Sequence, residues 1–166
     1  MKEHVGLFLF LSTVCVSIAT GSVAQAEDWK GAPEESVLSI GGLAGVGLSG
    51  QSSAFTVLGT ASKKIVNHGF VPDITNSVSV EGIFGPAFWS GGTALAYGLH
   101  LRWDFEKDKN WTLYAVGGLG GNALSGRGEL FPRFGVGAFY KMSGPLNARF
   151  ELSHELIAVG VNVPFY

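Results

Sequence analysis

Charge is scarce in this chain. Asp, Glu, Lys and Arg make up 14% of its 166 residues, against roughly 25% in an ordinary globular protein. The formal net charge is −2, and Lys63-Lys64 is the only adjacent basic pair. No basic patch is available to hold a polyanion, so nucleic acid is not expected as a partner. Cysteine occurs once, at Cys15. A disulfide within the chain is therefore excluded, and no zinc-ligand spacing is present. No metal or other cofactor is expected. Past the N-terminus there is no run of about 18 apolar residues, which argues against a later transmembrane helix.

Glycine and short alternating runs are abundant. Glycine is 25 of 166 residues, about twice the usual share. Residues 93–105 read T-A-L-A-Y-G-L-H-L-R-W-D-F. Side chains alternate between the two faces of a strand. One face here carries Thr93, Leu95, Tyr97, Leu99, Leu101, Trp103 and Phe105; the other carries Ala94, Ala96, Gly98, His100, Arg102 and Asp104. In a chain so short of charge, a bulky apolar face set against a small or charged one implies an inside-out protein, with apolar residues outward and polar residues inward. That is the pattern of a transmembrane β-barrel. The barrel must close, because lipid cannot satisfy an open sheet edge.

Residues 1–26 have the layout of a signal peptide. Lys2 supplies a positive start, 5–18 are apolar, and Ala24-Gln25-Ala26 is an A-x-A cleavage site. Export with cleavage near Ala26 would remove Cys15. Residues 27–36, with Pro33 and several charges, form a periplasmic lead-in, and 37–166 form the barrel.

Eight strands are expected in that barrel: 37–48, 54–63 (with a possible run-on to Val66), 77–88, 93–106, 111–119, 133–142, 147–153 and 157–166. Turns are expected at 49–53, 107–110 and 143–146. The stretch 64–76, with Pro72, Asp73 and Asn76, is irregular. Pro86 should weaken the end of the third strand, and 120–132 should form the longest clear loop. Leu43 and Leu58 break the alternation of their strands. Eight strands make the smallest usual barrel, whose interior is just wide enough for side chains. The fold class is thus all-β, a closed eight-stranded antiparallel up-and-down transmembrane barrel.

With the N-terminus in the periplasm, Trp103, Phe105, Trp111, Tyr140, Phe165 and Tyr166 fall near one end, as the aromatic girdle of a membrane interface would. The inward set holds four acids (Glu81, Asp104, Glu106, Glu151) and four bases (Arg102, Arg133, Lys141, Arg149), with His100 among them. Balanced buried charges can pair. A charged side-chain network is therefore expected to plug the lumen rather than line a wide pore.

The signal peptide, the eight strands with short periplasmic turns, R-F-G-V-G-A-F-Y-K-M-S at 133–143 and the aromatic C-terminus together resemble the small outer-membrane β-barrels of Gram-negative bacteria, the OmpA-like/OmpX-like class. The resemblance implies residence in the outer membrane, contact with its lipid and lipopolysaccharide, insertion by the barrel-assembly machinery, a monomer, and a structural or surface-interaction role without catalysis. In this chain Phe165, not Tyr166, is in phase with the terminal alternation, and Pro164 intrudes.

Two other functions are open to such a barrel. Ser153-His154-Glu155 could belong to a lipid-modifying hydrolase, since the lipid A deacylases are eight-stranded barrels using His, Ser and Glu. None of His68, His100 or His154 has the His-x-Ser spacing of that group. A narrow ion channel through the charged lumen is the other. A soluble secreted barrel, with the two faces exchanged, is the remaining alternative for the fold.

Overall fold

The computed structural model describes residues 38–47, 54–124 and 127–166. The expected signal peptide, the lead-in and the turn at 49–53 lie outside the described residues. Eight antiparallel strands follow one another around a closed barrel: β1 (Leu38–Gly47), β2 (Ala54–Val66), β3 (Asn76–Trp89), β4 (Gly92–Glu106), β5 (Trp111–Leu124), β6 (Arg127–Lys141), β7 (Asn147–Ser153) and β8 (Leu156–Phe165). Each strand is hydrogen-bonded to the next, and β8 returns to β1 with Leu38 opposite Phe165 and Gly47 opposite Leu156. Closure leaves neither a first nor a last edge.

Strand alternation sorts the side chains by polarity in the inverted sense. Glu81 and Arg149 have no exposed surface, whereas Phe84, Leu99 and Val136 are 61%, 62% and 57% exposed. A protein folding in water would lose the hydrophobic stabilisation that this arrangement forgoes. In hydrocarbon the same arrangement places apolar side chains against lipid and keeps the charges of Glu81 and Arg149 away from it.

The two ends of the barrel differ. At the end where β1 begins and β8 finishes, the connections are residues 67–75, 107–110 and 142–146. Asp108 shapes the second, its Oδ1 accepting from the backbone N–H groups of Asn110 (2.9 Å) and Trp111 (3.0 Å). Gly144, at φ 77°, reverses the third in the left-handed region that favours glycine. At the far end only Ser90-Gly91 separate β3 from β4, and only His154-Glu155 separate β7 from β8.

Several strand limits differ from those expected. The segment 120–132 is not a loop: β5 continues to Leu124 and β6 starts at Arg127, with Gly120 opposite Phe131 and Asn122 opposite Glu129. Its glycines concealed the alternation because they present no side chain, and the space is used by neighbours. A Cβ on Gly120 would lie 2.7 Å from the Phe131 ring, and one on Gly121 would lie 2.7 Å from the Tyr97 ring. Pro86 does not end β3, which runs on to Trp89. The ladder to β2 lapses between the pairs Thr56–Ala87 and Gly59–Phe84, where proline has no N–H to give, while Pro86 still pairs with Leu95 of β4.

Leu43 and Leu58 point inward. They form an apolar cluster with Ile83, Leu156 and Ala158 along the β8–β1–β2–β3 part of the wall. Small residues make room for this filling: a Cβ on inward-facing Gly45 would lie 2.7 Å from the Cα of Ala158.

Candidate functional site in the barrel lumen

The charged cluster of the lumen, together with Tyr114, comes from β3 to β7 and the turn that follows. Glu81 of β3 is the hub. Arg149 of β7 grips it with two hydrogen bonds, Nη1 to Oε2 at 2.9 Å and Nη2 to Oε1 at 2.6 Å. β3 and β7 are four strands apart in a ring of eight, so this bidentate pair spans the lumen from wall to wall. Arg102 of β4 also donates to Glu81, and His100 Nε2 lies 2.9 Å from Glu81 Oε1. A carboxylate can accept several bonds at once, and this one is wrapped by three cationic or N–H-bearing side chains.

The network extends in both directions from that hub. Arg102 and Asp104, two residues apart on one strand, share a face; Arg102 Nε donates to Asp104 Oδ1 at 2.8 Å and Nη2 to Oδ2 at 3.1 Å. Arg149 Nη2 donates to Glu151 Oε2 at 2.6 Å by the same two-residue spacing. Arg133 bridges Glu151 and Glu155. The Tyr114 hydroxyl accepts from Arg149 Nε at 2.9 Å and lies 3.0 Å from both Glu151 Oε2 and the Phe150 carbonyl. The Arg102 guanidinium carbon sits 4.9 Å from the Phe139 ring centre, and that of Arg149 sits 5.1 Å from the Tyr114 ring centre, within cation–π range.

Of the nine residues expected in the lumen, seven are buried and joined in this cluster: Glu81, His100, Arg102, Asp104, Arg133, Arg149 and Glu151. Glu106 and Lys141 instead line the open mouth beside the turns. Strand parity told which wall they share but not how deep along it they sit. Tyr114, Phe139 and Glu155 also belong to the cluster. Tyr114 shares the parity of Thr112 and Val116, a signal already present in the strand. Glu155 lies in the turn, where parity has no meaning.

Below the cluster, toward the end with the chain termini, is a cavity of about 500 Å³. Its lining is rich in hydroxyls and amides (Ser39, Ser62, Ser77, Ser79, Thr112, Asn147, Asn162), and Arg102, Asp104 and Phe139 belong to both cavity and cluster. Ser39 and Ser62 are hydrogen-bonded to each other at 2.6 Å.

Ser153 and His154 do not form a nucleophile–base pair here. Ser153 Oγ, on the inner wall, donates to the Leu156 carbonyl at 3.2 Å. The His154 ring is stacked on outward-facing Phe134 with centres 4.6 Å apart, and its Nδ1 lies 2.8 Å from Glu155 Oε2. Among the described residues no cluster of three His, Cys, Asp or Glu side chains is placed to hold a metal ion.

On the outside, near the end with the termini, Trp103 packs on Phe105 and Trp111 on Tyr140, each with ring centres 4.9 Å apart. Phe165 and Tyr166 are exposed at the same end.

No protein-family model and no curated protein matches this chain in sequence. Solved structures do match it in fold. A designed transmembrane β-barrel superposes with a TM-score of 0.56 at 15% identity, covering 80% of this chain and 98% of that one. Ail, the attachment invasion locus protein of Yersinia pestis, solved in complex with the heparin analogue sucrose octasulfate, superposes with a TM-score of 0.53 at 12% identity, covering 77% of this chain and 96% of that one. At such identities the likeness is one of fold, that of the small eight-stranded transmembrane β-barrels.

Proposed function

We propose that the protein is a monomeric barrel of the Gram-negative outer membrane with a structural or surface-interaction role, no catalytic activity, and a lumen plugged by its own charged side chains. The Arg149–Glu81 pair carries this proposal, because it crosses the ring from β7 to β3. Apolar filling by Leu43, Leu58 and Ile83 along the β8–β1–β2–β3 part of the wall supports it. The apolar outer face supports immersion in lipid; lipopolysaccharide around the outer rim and the barrel-assembly machinery as partner during insertion are part of the same proposal.

The two-residue connections at the far end favour the structural half of the role. They offer little surface for a partner compared with a long loop. Ail is a named attachment protein, and attachment is the property a surface-interaction role would share with it. Reconstitution into planar bilayers tests the plug. The expected outcome is no ohmic conductance at moderate voltage; steady single-channel steps abolished by substitution of Glu81 or Arg102 would establish a channel instead.

A further inference from the structure

The connection between β2 and β3, residues 67–75, folds back over the outside of the barrel. Ser77, Ser79 and Glu81 face the lumen, so Asn76 and Val78 face outward, yet both are buried, Val78 at 6% exposure. The connecting segment is clamped by Asn76. Its Nδ2 donates to the carbonyls of Val71 (2.8 Å) and Ile74 (2.5 Å), and its Oδ1 accepts from Trp103 Nε1 (2.9 Å). Gly69 N–H donates to the Asn76 carbonyl at 2.7 Å. The strap is thereby held against the wall beside the Trp103–Phe105 pair, and two of its apolar side chains, Phe70 and Ile74, remain exposed. Phe70 is 68% exposed and meets Trp103 edge-on at 5.8 Å, and Ile74 is also exposed.

We propose that this strap is a lipid-binding element: Phe70 and Ile74 enter the boundary between headgroups and acyl chains of the leaflet nearest the chain termini, and anchor the barrel's depth there. The proposal rests on the outer-membrane reading above. The occupant is lipid because Phe70 and Ile74 are exposed beside the outward aromatic pair, while Asn67, His68 and Asp73 give the same strap an exposed polar side, the mixed character that suits the boundary between headgroups and acyl chains. Asn76 satisfies two of the strap's carbonyls, those of Val71 and Ile74, from within the protein, which lowers the cost of placing backbone at the edge of hydrocarbon.

Site-directed spin labelling tests it. The full chain with Cys15→Ser is refolded into phosphatidylcholine vesicles carrying a nitroxide at Phe70→Cys or Ile74→Cys. Leu99→Cys serves as the lipid-facing reference and Lys109→Cys, in an exposed turn, as the aqueous one. The expected result is a ratio of oxygen to nickel-chelate collision several-fold higher at 70 and 74 than at 109, approaching that at 99. A high ratio at 99 with ratios at 70 and 74 equal to that at 109 overturns the strap's role while leaving the barrel in the membrane. A low ratio at 99 overturns the membrane barrel, and the strap proposal with it.

Discussion

At the scale of single residues, the lumen is a set of charges that are tolerable only together. Arg149 is fully buried and joins Glu81, Glu151 and Tyr114. Replacing it with methionine keeps the volume but leaves two buried carboxylates short of a partner, and breaking a buried pair in this way costs about 3–5 kcal/mol. Arg149→Met should therefore lower the urea midpoint of the refolded barrel markedly. Lys141→Met, at the exposed mouth, should change stability by no more than about 0.5 kcal/mol. Equal effects at the two positions would show that depth in the lumen does not set the energetics. Seven of the network residues were legible in the sequence because each sits on the inward parity of its strand. Glu155 was not, because it sits in a turn, and Tyr114 carries the inward parity of β5 without a charge to mark it. Its hydroxyl gives it an inward use.

At the scale of the strand, two neighbouring glycines show how differently the faces are packed. Gly117 and Gly118 are neighbours in β5. A Cβ on Gly117 would meet nothing within 4 Å, while one on Gly118 would lie 2.5 Å from the Cα of His100 and against the Leu99 carbonyl. Gly117→Val should fold like the parent chain, since it adds an apolar group to the outer face. Gly118→Val should prevent the close approach of β4 to β5, and its unboiled form should run as unfolded protein on a gel. The reverse ranking would mean that the faces have been exchanged. The run of glycines that makes these positions informative also hid the ends of β5 and β6. Alternation is read from side chains, and 117–121 contain four glycines. Register with Phe131 and Leu130 across the hairpin, which needs the fold, reveals the strand.

At the scale of the whole molecule, the central claim is that polarity is inverted: charge inside, apolar surface outside, and a ring closed by β1 and β8. Strand count, order and closure were readable from the sequence, because a period of two repeated between turn residues leaves few alternatives once edges are forbidden. The wall-to-wall pairing of Glu81 with Arg149 was not readable, since the residues are 68 positions apart and only closure brings them face to face. The most direct measurement is fractionation of cells expressing the full chain, followed by gel migration of unheated and boiled samples. Recovery in the outer membrane, with a faster-moving band that shifts on boiling, is the expected result for a closed barrel folded in lipid. Recovery as soluble protein with no shift would contradict it, and would mean that the apolar face is covered by something other than a membrane.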